Sequence, residues 1–491
     1  MTRRAVSGSL VAAAVIAWVV VANQDLSPHQ RLTDIPVYDV AARRITDGAV
    51  PYRDFAFEYP PLAAALITIA RIIPLQFSTA FSLLMLVALC ATVLGVVVTA
   101  RTLGMSRRRQ LAAGGVVALL PLLLGDFVAT RFDLALAALL AWMLWAAAGL
   151  RWRTAWALLA AAVALKLAPI VLVPLLVIWH RRHRGGRVAA GAAGLAGAGV
   201  IATFLPFLAL SPGGVWRMFA YHLDRPLQIE SLGSAYLLGL HALADIPLRV
   251  ETTFGSQNLI GDGPVVIAAI STALVLIGVI AVCVTVAVLL RRTPGVAGAR
   301  LFVTGAAATV AVAVTAGKVL SPQFLVWIVP AALLVSGRYG RLAFATTVGA
   351  LVATQLYFPV RYWDLVALET GPIALLVIRN TLLIVLLACA WPRSTPMDVA
   401  GGRRILGPLV QALLGHQMVD LLKTAPMIVH TNGSVLVKAT APIDPVTQEL
   451  GVVIAPRRGD DRASAPGPGS QPGAGRHRGH QRPPSAGPRG R

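Results

Sequence analysis

The stretch DFAFEYPPLAAAL, residues 54–66, sets two carboxylates, aromatic rings and a double proline directly against an apolar run. The chain as a whole is strongly apolar: of its 491 residues, 57% are hydrophobic and 13% are charged, and the mean hydropathy is +0.73. Soluble domains carry about 25% charged residues on average. The composition therefore predicts a polytopic membrane protein.

Apolar runs that can cross a bilayer as helices of roughly 17–25 residues extend over most of the chain. They are residues 6–22, 78–100, 111–125, 128–150, 188–210, 264–290, 300–317, 322–336, 342–358 and 372–391. Two further stretches are expected to behave differently. Residues 60–75 should enter from outside without crossing, and residues 154–180 should form two short helices that reverse near Lys166. The predicted fold is an all-α bundle of about 12 transmembrane helices with outward-facing loops.

Charged residues segregate between alternate loops. Arginines without any Asp or Glu occupy the N-terminus and residues 101–109, 151–153, 181–187, 291–300 and 338–341. Acidic residues occupy 23–59, 211–263, 359–371 and the turn at Asp126 and Asp133. Because basic loops stay in the cytoplasm, the sequence predicts a multi-pass plasma-membrane protein with both termini inside. The first apolar segment is interpreted as an uncleaved signal anchor.

The composition changes after the last predicted span, so residues 1–392 are predicted to form the membrane domain. Residues 393–455 form a mixed cytoplasmic region, with a possible amphipathic helix at 405–423 and a possible strand pair around Asn432-Gly433. Residues 456–491 are rich in Pro, Gly, Ser and Arg, and are predicted to be disordered.

Several functional classes are not indicated. The net charge of +22 does not predict nucleic-acid binding, since the cations lie between apolar segments and not on one soluble face. The three cysteines are isolated, and His180 and His183 lie in a basic run that repels cations. No P-loop is present. We expect no metal, no cofactor and no nucleic-acid partner.

Four polar motifs are expected to meet on the outer side. They are the first loop up to EYPP, KLAP at 166–169, YHLDRPLQIES at 221–231 and GKVLSPQF at 317–324. A carboxylate at the rim of an apolar cavity can act as a general base, and nearby Lys or Arg can neutralise phosphate. These parts suit sugar transfer from a lipid phosphate, but also a transporter or flippase of a lipid-linked sugar or another anionic solute. A transporter needs polar access from both sides, so the plain arginine runs inside favour the enzyme.

The order of these motifs resembles the membrane-embedded glycosyltransferases of family 87, a GT-C group. The resemblance covers roughly residues 20–392 and rests on D-x-x-V-Y-D, G-x-x-P-Y-R-D-F, E-Y-P-P-L, K-L-A-P, R-P-x-Q-x-E-S and G-K-V-L-S-P-Q, in that order. It implies a GT-C-like bundle and a polyprenyl-phosphate sugar donor, usually polyprenyl-phosphomannose. It also implies inverting transfer to a lipid-linked glycan acceptor on the outer face, without a metal.

Three acidic residues are candidates for the catalytic base. The resemblance places it at Asp34, which would take the proton of the acceptor hydroxyl; the structural alternative is a helix N-cap. Asp39 is the second candidate. Glu58 could orient a sugar hydroxyl or the acceptor, and its alternative is interfacial anchoring together with Tyr59.

Four cations are candidates for binding the donor phosphate. Arg225 offers bidentate geometry, and its alternative is an ion pair with Asp224. Lys166 and Lys318 precede the tail in predicted outer turns, where snorkelling at the membrane edge is the alternative. Arg379 lies inside the last predicted helix, where it would pair with an acid of another helix or contact the phosphate.

Further polar residues of the same motifs are candidates for contacts with the sugar or the acceptor. They are Tyr59, Gln228, Glu230 and Gln323. Arg131 and Asp133 are close in sequence, and we expect them to form a local ion pair with each other.

Overall fold

The computed structural model describes residues 3–23 and 32–393, together with two short segments at 427–431 and 434–438. Most of the described residues are helical. The helices are α1 (Arg3–Ala22), α2 (Ile35–Thr46), α3 (Pro61–Ile72), α4 (Phe77–Thr102), α5 (Arg107–Ala118), α6 (Leu120–Leu124), α7 (Asp133–Ala148), α8 (Trp152–Leu165), α9 (Val173–Arg184), α10 (Gly186–Leu210), α11 (Pro212–Asp224), α12 (Leu232–Ala244), α13 (Asp262–Leu290), α14 (Gly295–Thr315), α15 (Leu325–Ala332), α16 (Gly340–Tyr357), α17 (Tyr362–Val366) and α18 (Thr370–Ala390). Short 3₁₀ helices precede α7, α9 and α15.

The apolar runs of the sequence form the helices of one bundle, which confirms the predicted helical membrane fold. Six described helices, α1, α4, α10, α13, α14 and α18, are long and apolar enough to cross a membrane. Helix α14 is central, because most of its side chains are buried, whereas α10 buries only Ala189 and Phe204. The remaining apolar segments are shorter helices, so the count of about 12 crossings stays a prediction.

The two exceptional stretches are short helices, as predicted. Helix α3 begins at the double proline, where proline's fixed φ and missing N–H are tolerated. Its 12 residues span about 18 Å, too little to cross the bilayer. The segment 154–180 is divided between α8 and α9, and the backbone between them is extended at Lys166. The Trp156 indole N–H lies 3.1 Å from His180 Nδ1, so the start of α8 meets the end of α9 and the chain reverses.

The basic segments come together at one end of the bundle. Their side chains donate hydrogen bonds to neighbouring backbone carbonyl and hydroxyl oxygens, including carbonyl oxygens at the C-terminal ends of α4 and α13. The contacts are Arg101 Nη2 to Ser7 Oγ (3.0 Å), Arg109 Nη2 to Gly340 O (2.9 Å), Arg182 Nε to Leu290 O (3.2 Å) and Arg300 Nε to Leu103 O (2.8 Å). We call this the basic end.

A small sheet in the 211–263 loop was not predicted. Its strands are β1 (Leu227–Gln228), β2 (Arg249–Thr253) and β3 (Ser256–Ile260), antiparallel in the order β1-β3-β2. Phe254 and Gly255 connect β2 to β3 with φ values of 52° and 64°, which suits a tight two-residue turn. The predicted outward-facing loops therefore contain this sheet and the helices α2, α11, α12 and α17, whose bounds the sequence did not give.

The tail contributes two described strands, β4 (Met427–Thr431) and β5 (Ser434–Lys438), which pair in antiparallel register with Thr431 opposite Ser434. This pairing confirms the strand pair predicted around 432–433. The predicted amphipathic helix at 405–423 and the predicted disorder of 456–491 lie outside the described residues. The limits of the two tail regions stay predictions.

Candidate active site

A cavity of about 1240 Å³ opens at the end of the bundle opposite the basic end. Its walls come from the first loop with α2, the connection before α7, helix α11, the β1-β3-β2 sheet, the turn before α15, and α17. Seven of the predicted site residues line it. They are Asp34, Glu58, Tyr59, Arg225, Gln228, Glu230 and Gln323. Three of the four polar motifs, although distant in sequence, thus line one cavity. The fourth, KLAP, does not reach the cavity wall.

Asp34 occupies the N-cap position of α2, yet its side chain does not cap the helix. Its Oδ1 lies 3.2 Å from Arg131 Nη2. The Tyr38 hydroxyl donates to Oδ2 over 3.3 Å. The carboxylate is 28% exposed and faces the cavity. The side chain is therefore held by the protein in a position where a substrate can reach it, which the capping interpretation does not explain.

Arg131 is a cavity residue that the sequence did not single out. Besides contacting Asp34, it donates through Nη1 to Gln323 Oε1 over 3.1 Å. Burial lowers the pKa of its guanidinium, but Asp34 and other acidic neighbours outweigh burial and raise that pKa overall. The expected local ion pair with Asp133 is not formed. Proximity in sequence is misleading here, because Asp133 is the first residue of α7 and points into the bundle.

The Glu58 carboxylate faces the cavity without a cation at ion-pair distance among the described residues. Its neighbours include the hydroxyl of Tyr221, whose pKa is raised by burial and then by Glu58. The ring of His222 lies with Nε2 2.9 Å from the Glu58 carbonyl oxygen. Tyr59 packs its ring edge against Phe132, with centroids 4.9 Å apart. Glu58 thus offers the cavity a hydrogen-bond acceptor that forms no ion pair with a described residue and lies beside aromatic rings.

Asp39 lies outside the cavity wall. It pairs with Arg43 one helical turn later, and its Oδ1 is 4.0 Å from Arg71 Nη1 at the end of α3. These contacts join α2 to α3 on the outside of the site. The structure therefore separates Asp39 from Asp34 and Glu58.

Arg225 follows α11 and reaches the cavity beside the β2–β3 turn. Its Nη2 donates to Ser256 Oγ over 2.9 Å, and its guanidinium carbon lies 5.8 Å from the centroid of the Tyr221 ring. The alternative ion pair with Asp224 is not formed, and Arg225 has no carboxylate at ion-pair distance among the residues described. Its charge is therefore available to an anionic ligand in the cavity.

Gln228 and Glu230 form a buried network at the inner wall. Gln228 Nε2 donates to Glu230 Oε2 over 3.1 Å, and the Tyr357 hydroxyl donates to Oε1 over 2.6 Å. Burial raises the pKa of Glu230 above its ordinary value, and Arg379 and Tyr357 oppose that rise. Arg379 is fully buried and donates to the Glu230 carbonyl oxygen over 2.8 Å. The structure thus places Arg379 behind the cavity wall, where it supports Glu230. Its contact with the donor phosphate stays a prediction.

The two candidate lysines also lie away from the cavity lining. Lys166 Nζ contacts Asp133 Oδ1 at 2.8 Å, and it lies 4.7 Å from the centroid of the Trp327 ring. The Trp327 indole N–H donates to the same Asp133 oxygen. Lys318 donates to the Leu223 carbonyl oxygen over 2.6 Å, and burial lowers the pKa of its ammonium group. Both lysines join backbone segments around the site.

No group of three or more His, Cys, Asp or Glu side chains arranged to hold a metal occurs within residues 3–23 and 32–393. The polar groups of the cavity are carboxylates, guanidinium groups, amides and hydroxyls. Such a set can bind sugar hydroxyls, accept a proton and neutralise a phosphate.

Comparison with known families gives one match that covers about half of the chain. The sequence profile of glycosyltransferase family 87 matches residues 57–305. The chain belongs to this family. The family 87 match includes Glu58, Arg131 and the 225–230 motif, while Asp34 and Gln323 lie outside the matched range.

Two solved structures are similar over most of the family 87 chain. The crystal structure of ArnT from Cupriavidus metallidurans bound to undecaprenyl phosphate is 13% identical, covers 87% of this chain and 82% of its own, and has a TM-score of 0.43. The apo structure of the same protein is 14% identical, covers 78% and 77%, and has a TM-score of 0.35. This likeness is too distant to transfer residue roles or ligands. None of the curated proteins matches this chain.

Proposed function

We propose that this membrane glycosyltransferase transfers mannose from polyprenyl-phosphomannose to a lipid-linked glycan acceptor on the outer face of the plasma membrane, with inversion and without a cofactor. The observation that carries the proposal is the cavity itself. The held carboxylate of Asp34 and the unpaired guanidinium of Arg225 line the same space. A base and a phosphate-binding cation in one cavity are the two groups that this transfer needs.

Asp34 acts as the general base. Its carboxylate accepts the proton of the acceptor hydroxyl while that oxygen forms a bond to the anomeric carbon of the donor sugar. The bond between the anomeric carbon and the phosphate oxygen breaks, and the polyprenyl phosphate leaves with the electron pair. Arg225 stabilises the negative charge that develops on the phosphate, as an arginine does well because of its fork of donors.

Glu58, Tyr59, Gln228, Glu230 and Gln323 are the proposed contacts for the sugar and the acceptor. Glu58 offers an unneutralised carboxylate, which is a strong acceptor for hydroxyl groups. Tyr59 offers an aromatic surface beside it. The amides of Gln228 and Gln323 are already bonded to Glu230 and Arg131, so they hold the wall in shape as well as facing the ligand.

The transport alternative receives less support. Family 87 is a glycosyltransferase family, and the polar motifs concentrate at the cavity end of the bundle. A transporter needs a polar route to both sides. At the basic end, the arginines are instead engaged with backbone and hydroxyl groups of neighbouring segments.

The proposal is tested by transfer of radiolabelled mannose from polyprenyl-phosphomannose to endogenous lipid acceptors in membranes. Wild type is compared with Asp34→Asn at matched expression, and Asp39→Asn is the control. The control removes an equal charge from the same helix but outside the cavity. We expect wild type and Asp39→Asn to make labelled glycolipid, and Asp34→Asn to lose transfer by about 10²-fold or more, the scale of a removed general base.

Two other outcomes would revise the proposal. Transfer that survives in Asp34→Asn and fails in Glu58→Gln would keep the enzyme and move the base to Glu58. Absence of transfer from wild type, with a donor shown to be intact and a different polyprenyl-phosphate sugar accepted, would reject mannose as the sugar.

A further inference from the structure

Arg131 connects three segments that are distant in sequence. It lies in the short connection between a 3₁₀ turn and α7. One guanidinium nitrogen contacts Asp34 at the start of α2, and the other donates to Gln323 in the turn before α15. Its side chain is only 14% exposed and forms part of the cavity wall. A buried cation of this kind must be matched by nearby acceptors.

The charge of Arg131 depends on Asp34. Asp133, the nearest acid in sequence, is occupied by Lys166 and by the indole N–H of Trp327. Within the described part of the chain, Asp34 is the one carboxylate at ion-pair distance from Arg131. Two ion pairs therefore lie close together: Arg131 belongs to one of them and Asp133 to the other.

The two oxygens of Asp34 are held unequally. Among the described residues, Oδ1 forms an ion pair with the guanidinium of Arg131 at 3.2 Å, whereas Oδ2 receives only the long hydrogen bond of 3.3 Å from the neutral Tyr38 hydroxyl. The Oδ1 contact joins two full charges, whereas the Oδ2 bond joins a charge to the dipole of a neutral hydroxyl at a longer distance, so the electrostatic attraction is stronger at Oδ1. Oδ2 is thus the oxygen that is easier to free for a substrate.

From this arrangement we infer that Arg131 is a positioning residue for sugar transfer: it anchors Oδ1 of Asp34 and leaves Oδ2 to accept the proton of the acceptor. The inference rests on the proposed role of Asp34 as the base. Arg131 acts through Asp34 and Gln323 and does not itself bind the donor phosphate, which is the role of Arg225. Loss of this anchor lets the carboxylate rotate out of line with the acceptor hydroxyl, and a misplacement of about 1 Å can cost about 10²-fold in rate.

The test is a double-mutant cycle on mannosyl transfer in membranes, with kcat and the donor KM measured separately. The variants are Asp34→Asn, Arg131→Gln, the double variant and Arg131→Lys. The assay must detect rates below the residual rate of Asp34→Asn. Arg71→Gln is the matched control, because Arg71 of α3 lies 4.0 Å from the carboxylate of Asp39 of α2, and both residues lie outside the cavity. Residues that act through one another give non-additive losses.

We expect Arg131→Gln to lower kcat by about 10-fold to 10²-fold with the donor KM changed less than about twofold. The double variant should be no slower than Asp34→Asn alone. Arg131→Lys, which keeps the charge, should recover part of the rate, and Arg71→Gln should match wild type. If Arg131→Gln does not fold, Arg131→Lys and the charge-balanced double variant still give the comparison.

The inference is overturned if the double variant loses the product of both single losses, or if Arg131→Gln mainly raises the donor KM, since Arg131 would then contact the donor directly. It is also overturned if Arg131→Gln transfers at the wild-type rate. In these cases Asp34→Asn still loses about 10²-fold or more in rate, and the proposed function stands. A separate result, transfer by Asp34→Asn at the wild-type rate, would show that Asp34 is not the base.

Discussion

At the scale of single residues, the groups that a side chain contacts decide which role it can play, and two residues of the same type can differ in role. Asp34 and Asp39 are five positions apart on one short helix, and the sequence could rank them only by resemblance. The structure gives Asp34 a place on the cavity wall and gives Asp39 a place between Arg43 and Arg71. A helix rotates 100° per residue, so five positions carry the two carboxylates to different faces.

The substitution Arg225→Gln should weaken donor binding. The guanidinium has no carboxylate partner in the described part of the chain, so its charge is available to the phosphate. We expect the donor KM for mannosyl transfer to rise about tenfold or more, as for a lost charge-assisted contact of 1.5–3 kcal/mol. Arg249→Gln is the control, because Arg249 lies on β2 with an exposed side chain paired to Glu251. An unchanged KM in Arg225→Gln would assign phosphate binding to another cation.

Much of the candidate site could be predicted because polar residues in an apolar chain are conspicuous. Seven of the eleven predicted residues line the cavity. The cations were the harder group, because the sequence does not distinguish Arg225, which lines the cavity, from Lys166, Lys318 and Arg379, which do not. Arg131 was not predicted as a site residue, because Asp133, two positions later, was expected to be its ion-pair partner.

At the scale of elements, the membrane helices were predictable and the loop elements were not. Apolar length defines a span without further information. The β2–β3 hairpin has no such signal, because its turn is Phe254–Gly255 and not one of the Asn-Gly or Asp-Gly pairs that mark a tight turn. Its strands also carry charged and polar residues without a clear alternation. Its place is set by tertiary contacts, including the Tyr221 hydroxyl that donates to the Phe254 carbonyl oxygen.

The ion pair between Lys166 and Asp133 should hold the α8–α9 turn against α7. Its side chains are 14% and 4% exposed, and three aromatic rings surround the ammonium group. The variant Lys166→Met leaves Asp133 buried without a cation, so we expect the free energy of unfolding in detergent to fall by about 3 kcal/mol. Adding Asp133→Asn should restore part of that loss.

The control for this substitution is Arg361→Gln. Arg361 pairs with Asp364 over 3.3 Å, but both side chains are about 40% exposed, and such a pair contributes about 0–1 kcal/mol. Equal losses of stability in Lys166→Met and Arg361→Gln would show that burial does not strengthen the internal pair. Retained stability in Lys166→Met together with a raised donor KM would return Lys166 to the phosphate site.

At the scale of the whole molecule, the structure separates two ends by charge. Arginine segments without acidic residues meet at one end, and the cavity, which is lined by both carboxylates and arginines, opens at the other. On the basis of the positive-inside rule, we propose that the cavity faces the outside. The sequence predicted this separation by loop composition alone, but it could not show that three of the four outer motifs reach one cavity, because that depends on how helices pack.

This orientation can be measured with single cysteines in intact cells. In a variant whose native cysteines are replaced by Ala, Ala367→Cys lies at the cavity end beside α17, and Ala297→Cys lies at the basic end in the first turn of α14; both positions are exposed. We expect an impermeant maleimide to label Ala367→Cys directly, and Ala297→Cys only after permeabilisation. The reverse pattern would place the cavity in the cytoplasm and exclude the proposed outer-face reaction.

Helix α10 packs one side against the bundle and exposes much of its remaining surface, with only Ala189 and Phe204 buried. A helix that touches lipid in place of protein is selected for apolar character and not for the identity of each side chain. Exposed positions such as Leu195, Ile201 and Leu205 can drift freely among apolar residues over evolutionary time. Among related enzymes, the sequence of α10 should therefore vary more than the sequence of the loops around the cavity.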